Sequence, residues 1–249
     1  MDLSLIAGLV AAATAAGFVD SIAGGGGLIT VPVLMLAGMT PGQALATNKL
    51  QGSFGAATAA VSYGRSGLVD LRRQLPTAAL AFAAGGAGAV LVTALPTEVL
   101  RLALPVVLIG IALFFALKPG LNDLDRAARL SPAIFGLTLV PAIGFYDGLI
   151  GPGAGAFYML GFVMLAGHGV LRATAHTKLL NFSSNLGGLA VFALSGHPVW
   201  LVGLLMGAGQ ILGAALGARL ALRSGARIIK PLLVVTSTAL AARLLWQML

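Results

Sequence analysis

The chain has 249 residues, of which 58% are hydrophobic and only 9% are charged. A soluble domain carries about 25% charged residues, so this composition excludes a water-soluble globule. A helix needs about 20 apolar residues to cross a bilayer, which gives the chain material for about eight to ten crossings. The composition therefore predicts one polytopic, all-α membrane protein that resides in the lipid bilayer.

Ten apolar segments bounded by Gly, Pro or charge are expected at 3–22, 28–39, 43–63, 74–95, 98–117, 132–149, 155–167, 171–195, 199–221 and 228–248. The first should be retained rather than cleaved as a signal sequence, because Asp2 stands where a basic region is usual. The second and seventh segments hold 12 and 13 residues. As helices they would be about 18 to 20 Å long, too short for a hydrocarbon core of about 30 Å.

A glycine-rich break precedes each short segment, at 24–27 and at 151–155. Each break predicts a helical hairpin with a half-helix, either turning back inside the membrane or crossing it. Irregular backbone at such depth is tolerated only where protein or a watery cavity surrounds it.

An internal repeat relates the two halves of the chain. The stretch that starts at Gly17 returns at Gly144, first with an offset of 127 and then, from Ala46 onwards, with an offset of 129. The repeat predicts one unit at 1–120 and a second at 121–249. Each unit contains a glycine-broken hairpin plus three transmembrane helices, an odd number of segments in all, so the second unit should be inverted.

Loop charge tests that topology. Alternating the segments puts eleven basic residues on one face and two on the other, a strong positive-inside bias. The crowded face should be cytoplasmic, which puts both termini in the periplasm of a cell with an inner membrane. The eleven residues are Arg65, Arg72, Arg73, Lys118, Arg126, Arg129, Arg172, Arg219, Arg223, Arg227 and Lys230, against Arg101 and Arg243.

Four charges lie inside apolar segments and form two repeat-related pairs: Asp20 with Asp147, and Lys49 with Lys178. An ionisable group at the bilayer centre costs about 3 kcal/mol or more, so such groups usually face a partner or a water-filled path. One interpretation is structural, with Asp20 paired to Lys49 and Asp147 to Lys178 as buried clips. The aspartates could equally be lysine counterions or proton carriers.

The functional interpretation is an anion site. A half-helix that starts after a glycine break presents unpaired N–H groups and a positive dipole end. The breaks supply Gly24, Gly25, Gly26 and Gly27, and Gly151, Gly153 and Gly155. The two lysines would add charge, and nearby polar side chains would donate hydrogen bonds to oxyanion oxygens or bond across helices for packing. These side chains are Thr47, Asn48, Gln51, His176, Thr177, Asn181 and Asn185.

The sequence SIAGGGGLITVPVL followed by ALATNKLQGSFGA closely resembles the sulfite exporter TauE/SafE family, also called the toluene sulfonate uptake permease family. The resemblance covers essentially the whole chain. It implies a small sulfur-containing oxyanion, such as sulfite, sulfoacetate or another organosulfonate. It also implies that Gly24 to Gly27, Thr47, Asn48, Lys49 and Lys178 line the path. In the second half, Gly151-Pro152-Gly153-Ala154-Gly155 replaces the unbroken glycine run, and His176 takes the place of Thr47.

We therefore expect a secondary transporter that binds its anion near mid-membrane and works by alternating access, with proton coupling an open option. An anion channel and a carrier of small carboxylates are the alternatives. The missing catalytic motifs argue against an enzyme, so no catalytic residue is assigned. Zero cysteines and three scattered histidines argue against a metal or cofactor, and the scattered basic residues argue against a nucleic-acid partner. Gly203, Gly207 and Gly213 could support a homodimer or internal packing.

Overall fold

The computed structural model describes residues 2–116, 124–225, 227–229 and 231–232, and the regular elements in these ranges are all α-helices. The nine helices are α1 (Leu3–Ala23), α2 (Gly26–Leu36), α3 (Pro41–Arg65), α4 (Leu75–Thr93), α5 (Thr97–Ala116), α6 (Pro132–Leu149), α7 (Ala154–Met164), α8 (Val170–Leu194) and α9 (Trp200–Ser224). They confirm the first nine predicted segments, with ends shifted by at most a few residues. The tenth segment, apart from four residues, lies outside the described residues, as do Lys118, Lys230, Arg243 and the 120/121 repeat boundary.

Four helices in the described ranges are long and apolar enough to span a membrane: α1, α4, α6 and α9. By contrast, α2 and α7 hold 11 residues each. At 1.5 Å per residue each is about 17 Å long, little more than half of a hydrocarbon core. The protein is thus an all-α polytopic membrane protein, and the predicted shortness of these two helices is confirmed.

Local sequence explains where the helices begin and end. The α3 helix begins with a capping box, in which Thr40 Oγ1 accepts from Gln43 N and Gln43 Oε1 accepts from Thr40 N. The α1 helix ends where Gly24 takes φ 77° and Gly25 takes φ 94°, a region that glycine enters without penalty. This turn separates α1 from α2.

Small residues let the long helices approach closely. A Cβ on Gly217 of α9 would overlap Ser21 and Phe18 of α1, and one on Gly88 of α4 would overlap Phe145 of α6. The sequence did not show whether three glycines of α9 form a dimer face or pack internally. In the structure all three lie against residues of this chain. Gly203 lies against Leu50, Gly207 against Phe54, and Gly213 against Thr14 and Phe18.

Helix contacts come in pairs that the proposed repeat relates. The α1–α9 contact corresponds to α6–α4, the α3–α9 contact to α8–α4, and the α2–α3 contact to α7–α8. The equivalent helices α3 and α8 run antiparallel, since Gly52 lies beside Asn185 and Gly188 beside Lys49. Inversion of the second unit stays a prediction, and this packing is what an inverted repeat requires.

Candidate functional site

The two glycine breaks meet inside the protein. A Cβ placed on Gly155 would lie 3.3 Å from Gly24 Cα, and one placed on Gly27 would lie 3.2 Å from Pro152 Cα. Side chains larger than hydrogen would push the hairpins apart at these positions. The amino ends of α2 and α7 therefore lie next to each other.

A polar cavity of about 30 Å³ lies between the two breaks. A cavity of this volume has room for at least one water molecule. Two carboxylates, five carboxamides and the glycine backbone form its wall. The lining residues are Asp20, Gly25, Gly26, Gly27, Asn48, Gln51, Gly52, Asp147, Gly151, Gly153, Ala154, Gly155, Asn181, Asn185 and Gln210.

One buried ion pair joins α3 to α6 beside this cavity. Lys49 Nζ donates to Asp147 Oδ1, and the exposed fractions of the two side chains are only 1% and 2%. Ser184 Oγ of α8 donates to the other carboxylate oxygen. Asp147 thus has a partner on each oxygen and still borders the cavity.

The second ion pair joins α8 to the end of α1. Lys178 Nζ donates to the backbone oxygen of Asp20 and lies 3.7 Å from its carboxylate Oδ2. Asp20 Oδ1 accepts from Gly26 N at 3.0 Å. The Asp20 carboxylate therefore occupies the amino end of α2, where a helix favours negative charge.

The structure contradicts one expectation from the sequence, the pairing of Asp20 with Lys49 and of Asp147 with Lys178. Instead, Lys49 contacts Asp147 and Lys178 contacts Asp20, so each lysine contacts the aspartate of the other half. The antiparallel packing of α3 and α8 is the reason, because it turns each lysine toward the hairpin of the opposite unit. Both ion pairs therefore tie the two halves together.

The amino ends of α2 and α7 differ in what caps them. Gly153 precedes α7, and within the described ranges no side chain caps it. Ala154 and Gly155, at the start of this helix, border the cavity. Ala154 N already donates to Gly151 O at 2.9 Å. The next N–H groups, beginning with that of Gly155, have no partner within the helix, so this end can donate hydrogen bonds to an anion in the cavity.

A chain of carboxamides orients further donors. Asn48 Oδ1 accepts from Thr30 Oγ1 at 2.6 Å and from Gln51 Nε2 at 2.9 Å, which directs the Asn48 NH₂ group toward Gly27. Gln210 Nε2 in turn donates to Gln51 Oε1. On the opposite wall Asn185 Nδ2 donates to Asn181 Oδ1 at 3.2 Å, leaving the Asn181 NH₂ group beside Gly155.

Most of the residues selected from sequence line this cavity, but six do not. Lys49 and Lys178 lie directly behind the two aspartates, and Gly24 forms the contact between the breaks. Thr47 Oγ1 accepts from Val199 N at 3.0 Å, Thr177 Oγ1 donates to Ala173 O at 2.9 Å, and His176 lines a separate cavity.

Sequence reasoning missed Gly52, Ala154 and Gln210, which border the cavity. Gln210 carried a usable signal, because it is the one carboxamide in the apolar segment 199–221. A buried carboxamide needs partners, and attention to charged residues alone overlooked it. Within the described ranges, no group of three or more His, Asp and Glu side chains could hold a metal ion.

The all-α fold and the comparison with known proteins together define a class, that of polytopic membrane transporters. The chain belongs to the Sulfite exporter TauE/SafE family, whose model matches residues 9–244. It is 58% identical to the probable membrane transporter protein ORF9 of Sinorhizobium sp, over 97% of this chain and 92% of the relative. It is 47% identical to the probable membrane transporter protein YfcA of Escherichia coli K12, over 93% of this chain and 86% of the relative.

A probable membrane transporter protein of Haemophilus influenzae is 41% identical, over 99% of this chain and 96% of that protein. No solved structure gives a significant match. The relatives therefore agree on membrane transport and on the whole length of the chain, and their names specify no substrate.

Proposed function

We propose that the protein is a secondary transporter that moves a small sulfur-containing oxyanion across the cytoplasmic membrane. Sulfite, sulfoacetate and other organosulfonates are the proposed substrates, and the family description supports this class. The observation that carries the proposal is the meeting of two glycine-broken helix ends around one polar cavity. We assign transport and no catalytic reaction to the chain.

The anion is proposed to bind against the amino end of α7. Gly155 supplies a backbone N–H group there, and the NH₂ groups of Asn48 and Asn181 approach from either side. A cavity of about 30 Å³ must widen to admit an oxyanion. Because the two hairpins contact each other at their glycine breaks, widening means moving one hairpin away from the other.

Charge balance suggests how a proton takes part. The two lysines and two aspartates form a neutral set, and adding an anion alone would leave a net charge inside the membrane. Protonation of Asp20 would offset that charge. It would also weaken the hold of the carboxylate on Gly26 N–H and remove the ion pair with Lys178, whose hydrogen bond to Asp20 O would remain. We therefore propose that one proton accompanies each singly charged anion.

An asymmetry between the two faces supports alternating access. A cavity of about 450 Å³ lies on the face that carries Arg73 and Arg172, whereas a cavity on the other face, beside His197, measures about 50 Å³. If the two inverted units exchange conformations, the larger space would move to the opposite face. The positive-inside rule makes the arginine-bearing face cytoplasmic and puts both termini outside.

Uptake into proteoliposomes tests the proposal. The purified protein should accumulate labelled sulfite or sulfoacetate when the external pH is lowered, with saturable kinetics, and empty liposomes should not. Unitary currents in planar bilayers would favour an anion channel instead. Equal uptake of small carboxylates would overturn the assignment of sulfur-containing substrates.

A further inference from the structure

A second cavity opens on the arginine-bearing face, away from the glycine breaks. Its volume of about 450 Å³ falls within the range of small-molecule sites. Residues from the loops at 67–73 and 128–130 and from α4, α6, α7 and α8 form its wall. The cavity extends to Leu180, the residue before Asn181 of the central cavity.

An unpaired acceptor lies in this wall. Gln74 is 7% exposed, and its Nε2 donates to His176 O at 2.6 Å, which fixes the orientation of the carboxamide. Among the described residues, its Oε1 is the buried side-chain atom that has no hydrogen-bond partner. A buried acceptor without a partner costs about 1 to 3 kcal/mol, so this position favours a ligand that brings an N–H or O–H group.

Two arginines line the same cavity, and each forms an ion pair, Arg73 with Asp70 and Arg172 with Asp125. Arg172 donates to Asp125 Oδ2 at 2.9 Å through one of its nitrogens, and a guanidinium has five N–H donors in all. Asp125 Oδ1 accepts from Gly169 N at 2.6 Å, a bond that lowers the pKa of this carboxyl below its ordinary value and keeps it ionised. Arg172 is thus held in place with donors left for an anion.

Apart from Thr77 and the Arg73–Asp70 ion pair, the remaining wall is mainly aromatic and apolar. The rings of His168 and His176 stack with centroids 4.8 Å apart, and Phe162 lies 5.3 Å from His176 and 4.6 Å from Phe135. Burial lowers the pKa of His168, so its ring favours the neutral form. Such a wall accommodates a short carbon chain between two polar groups.

We propose that this cavity, the outer cavity, binds an oxyanion joined by a short carbon chain to a hydroxyl or amino group. Arg172 would hold the oxyanion, and Gln74 Oε1 would accept from the hydroxyl or amino group. Two sources share this chemistry, a free hydroxyalkyl or aminoalkyl sulfonate and the headgroup of phosphatidylethanolamine. The site is separate from the central cavity, and its test measures binding and not transport.

The proposal can be tested by measuring how fast a thiol reagent modifies a single cysteine introduced into the cavity wall. The chain has no native cysteine, so the signal comes from the introduced thiol alone. Thr77→Cys puts one thiol in the wall, and Ser66→Cys puts a control thiol on an exposed residue of the same face that does not line the cavity. In detergent, 2-hydroxyethanesulfonate should slow modification of Cys at 77 at a concentration about fivefold lower than ethanesulfonate does. These two probes carry the same charge, and only the first brings a donor. Modification at 66 should not change.

Two variants and a lipid comparison complete the test. Arg172→Gln should raise both protecting concentrations about tenfold, while Arg219→Gln, a charge-matched change away from the cavity, should not. Gln74→Met should abolish the preference between the two sulfonates. In nanodiscs, slower modification in phosphatidylethanolamine than in phosphatidylcholine would assign the site to a lipid headgroup. Equal effects of both sulfonates and both lipids, or unchanged protection in Arg172→Gln, would overturn the proposal.

Discussion

Lys49 of α3 and Asp147 of α6 form a buried ion pair although 98 residues separate them in the chain. In the equivalent pair, Lys178 of the second half contacts Asp20 of the first half. Each half of the protein therefore supplies the counterion for the lysine of the other half. Any motion between the two halves at this site must either carry these pairs along or break them.

Removing one member of a pair should destabilise the protein. Lys49→Met leaves Asp147 buried without its counterion, which costs about 3 to 5 kcal/mol in proteins. Thermal unfolding in detergent should show a clearly lower midpoint than in the native protein. An unchanged midpoint would mean that Asp147 finds another partner or takes up a proton at no cost.

Removing both members separates a structural role from a transport role. In the double variant Lys49→Met and Asp147→Asn no charge is left unpaired, so most of the stability should return. Sulfite uptake should be absent in both the single and the double variant, because each lacks the positive charge of Lys49 beside the cavity. Uptake at the native rate would identify the pair as a structural clip only.

Contact between the glycine breaks can be tested at Gly24. Its φ of 77° and ψ of 167° lie in a region that is essentially restricted to glycine, where another residue costs about 1 to 3 kcal/mol. A Cβ there would also overlap the backbone of Ala156. Gly24→Ala should therefore reduce both stability and uptake.

Gly8→Ala is the matched control, because a Cβ on Gly8 meets nothing within 4 Å and the residue lies inside α1. Alanine in a helix interior is favoured over glycine by about 1 kcal/mol, so this variant should be at least as stable as the native protein. Equal behaviour of the two variants in thermal unfolding would contradict a tight contact at Gly24.

Proton coupling should depend on Asp20. Asp20→Asn keeps an oxygen that can accept from Gly26 N, but it removes the carboxylate that takes up the proton. Uptake into proteoliposomes should lose its dependence on an imposed pH gradient, whereas Asp2→Asn at the exposed start of the chain should keep it. Continued stimulation by external acid in Asp20→Asn would exclude Asp20 as the proton carrier.

Inversion of the repeat can be tested at two equivalent serines. Ser66 follows α3 and Ser195 follows α8, and the offset of 129 that relates the two units relates these positions as well. Single cysteines at each position are easily read out in a chain without native cysteine. In intact cells an impermeant thiol reagent should label Ser195→Cys and leave Ser66→Cys unmodified. Labelling of both from the same side would contradict the inverted topology.

Sequence predicted the helices well, because their signals are local. Apolar segments and glycine breaks are both read from short stretches of the chain. The short lengths of α2 and α7 followed from the same reasoning. Even the meeting of the two breaks could be anticipated, since the repeat implied two equivalent half-helices.

The pairing of charges could not be predicted in the same way. Whether Lys49 contacts Asp20 or Asp147 depends on how α3 packs against α8, which no local pattern encodes. The capping of α2 by Asp20 and the separate position of His176 are also consequences of three-dimensional packing. Gln210 was missed for a different reason, because it is uncharged and matches no motif.

The central claim is that the anion binds between the two hairpins, and that the two ion pairs that connect the halves of the protein contribute to this binding. Isothermal titration of sulfite tests it with the purified native protein, with the double variant Lys178→Met and Asp20→Asn, and with Arg219→Gln as control. We expect saturable binding by the native protein and the control, and an affinity lower by about tenfold to a hundredfold in the folded double variant. Equal affinity in all three proteins would contradict the account.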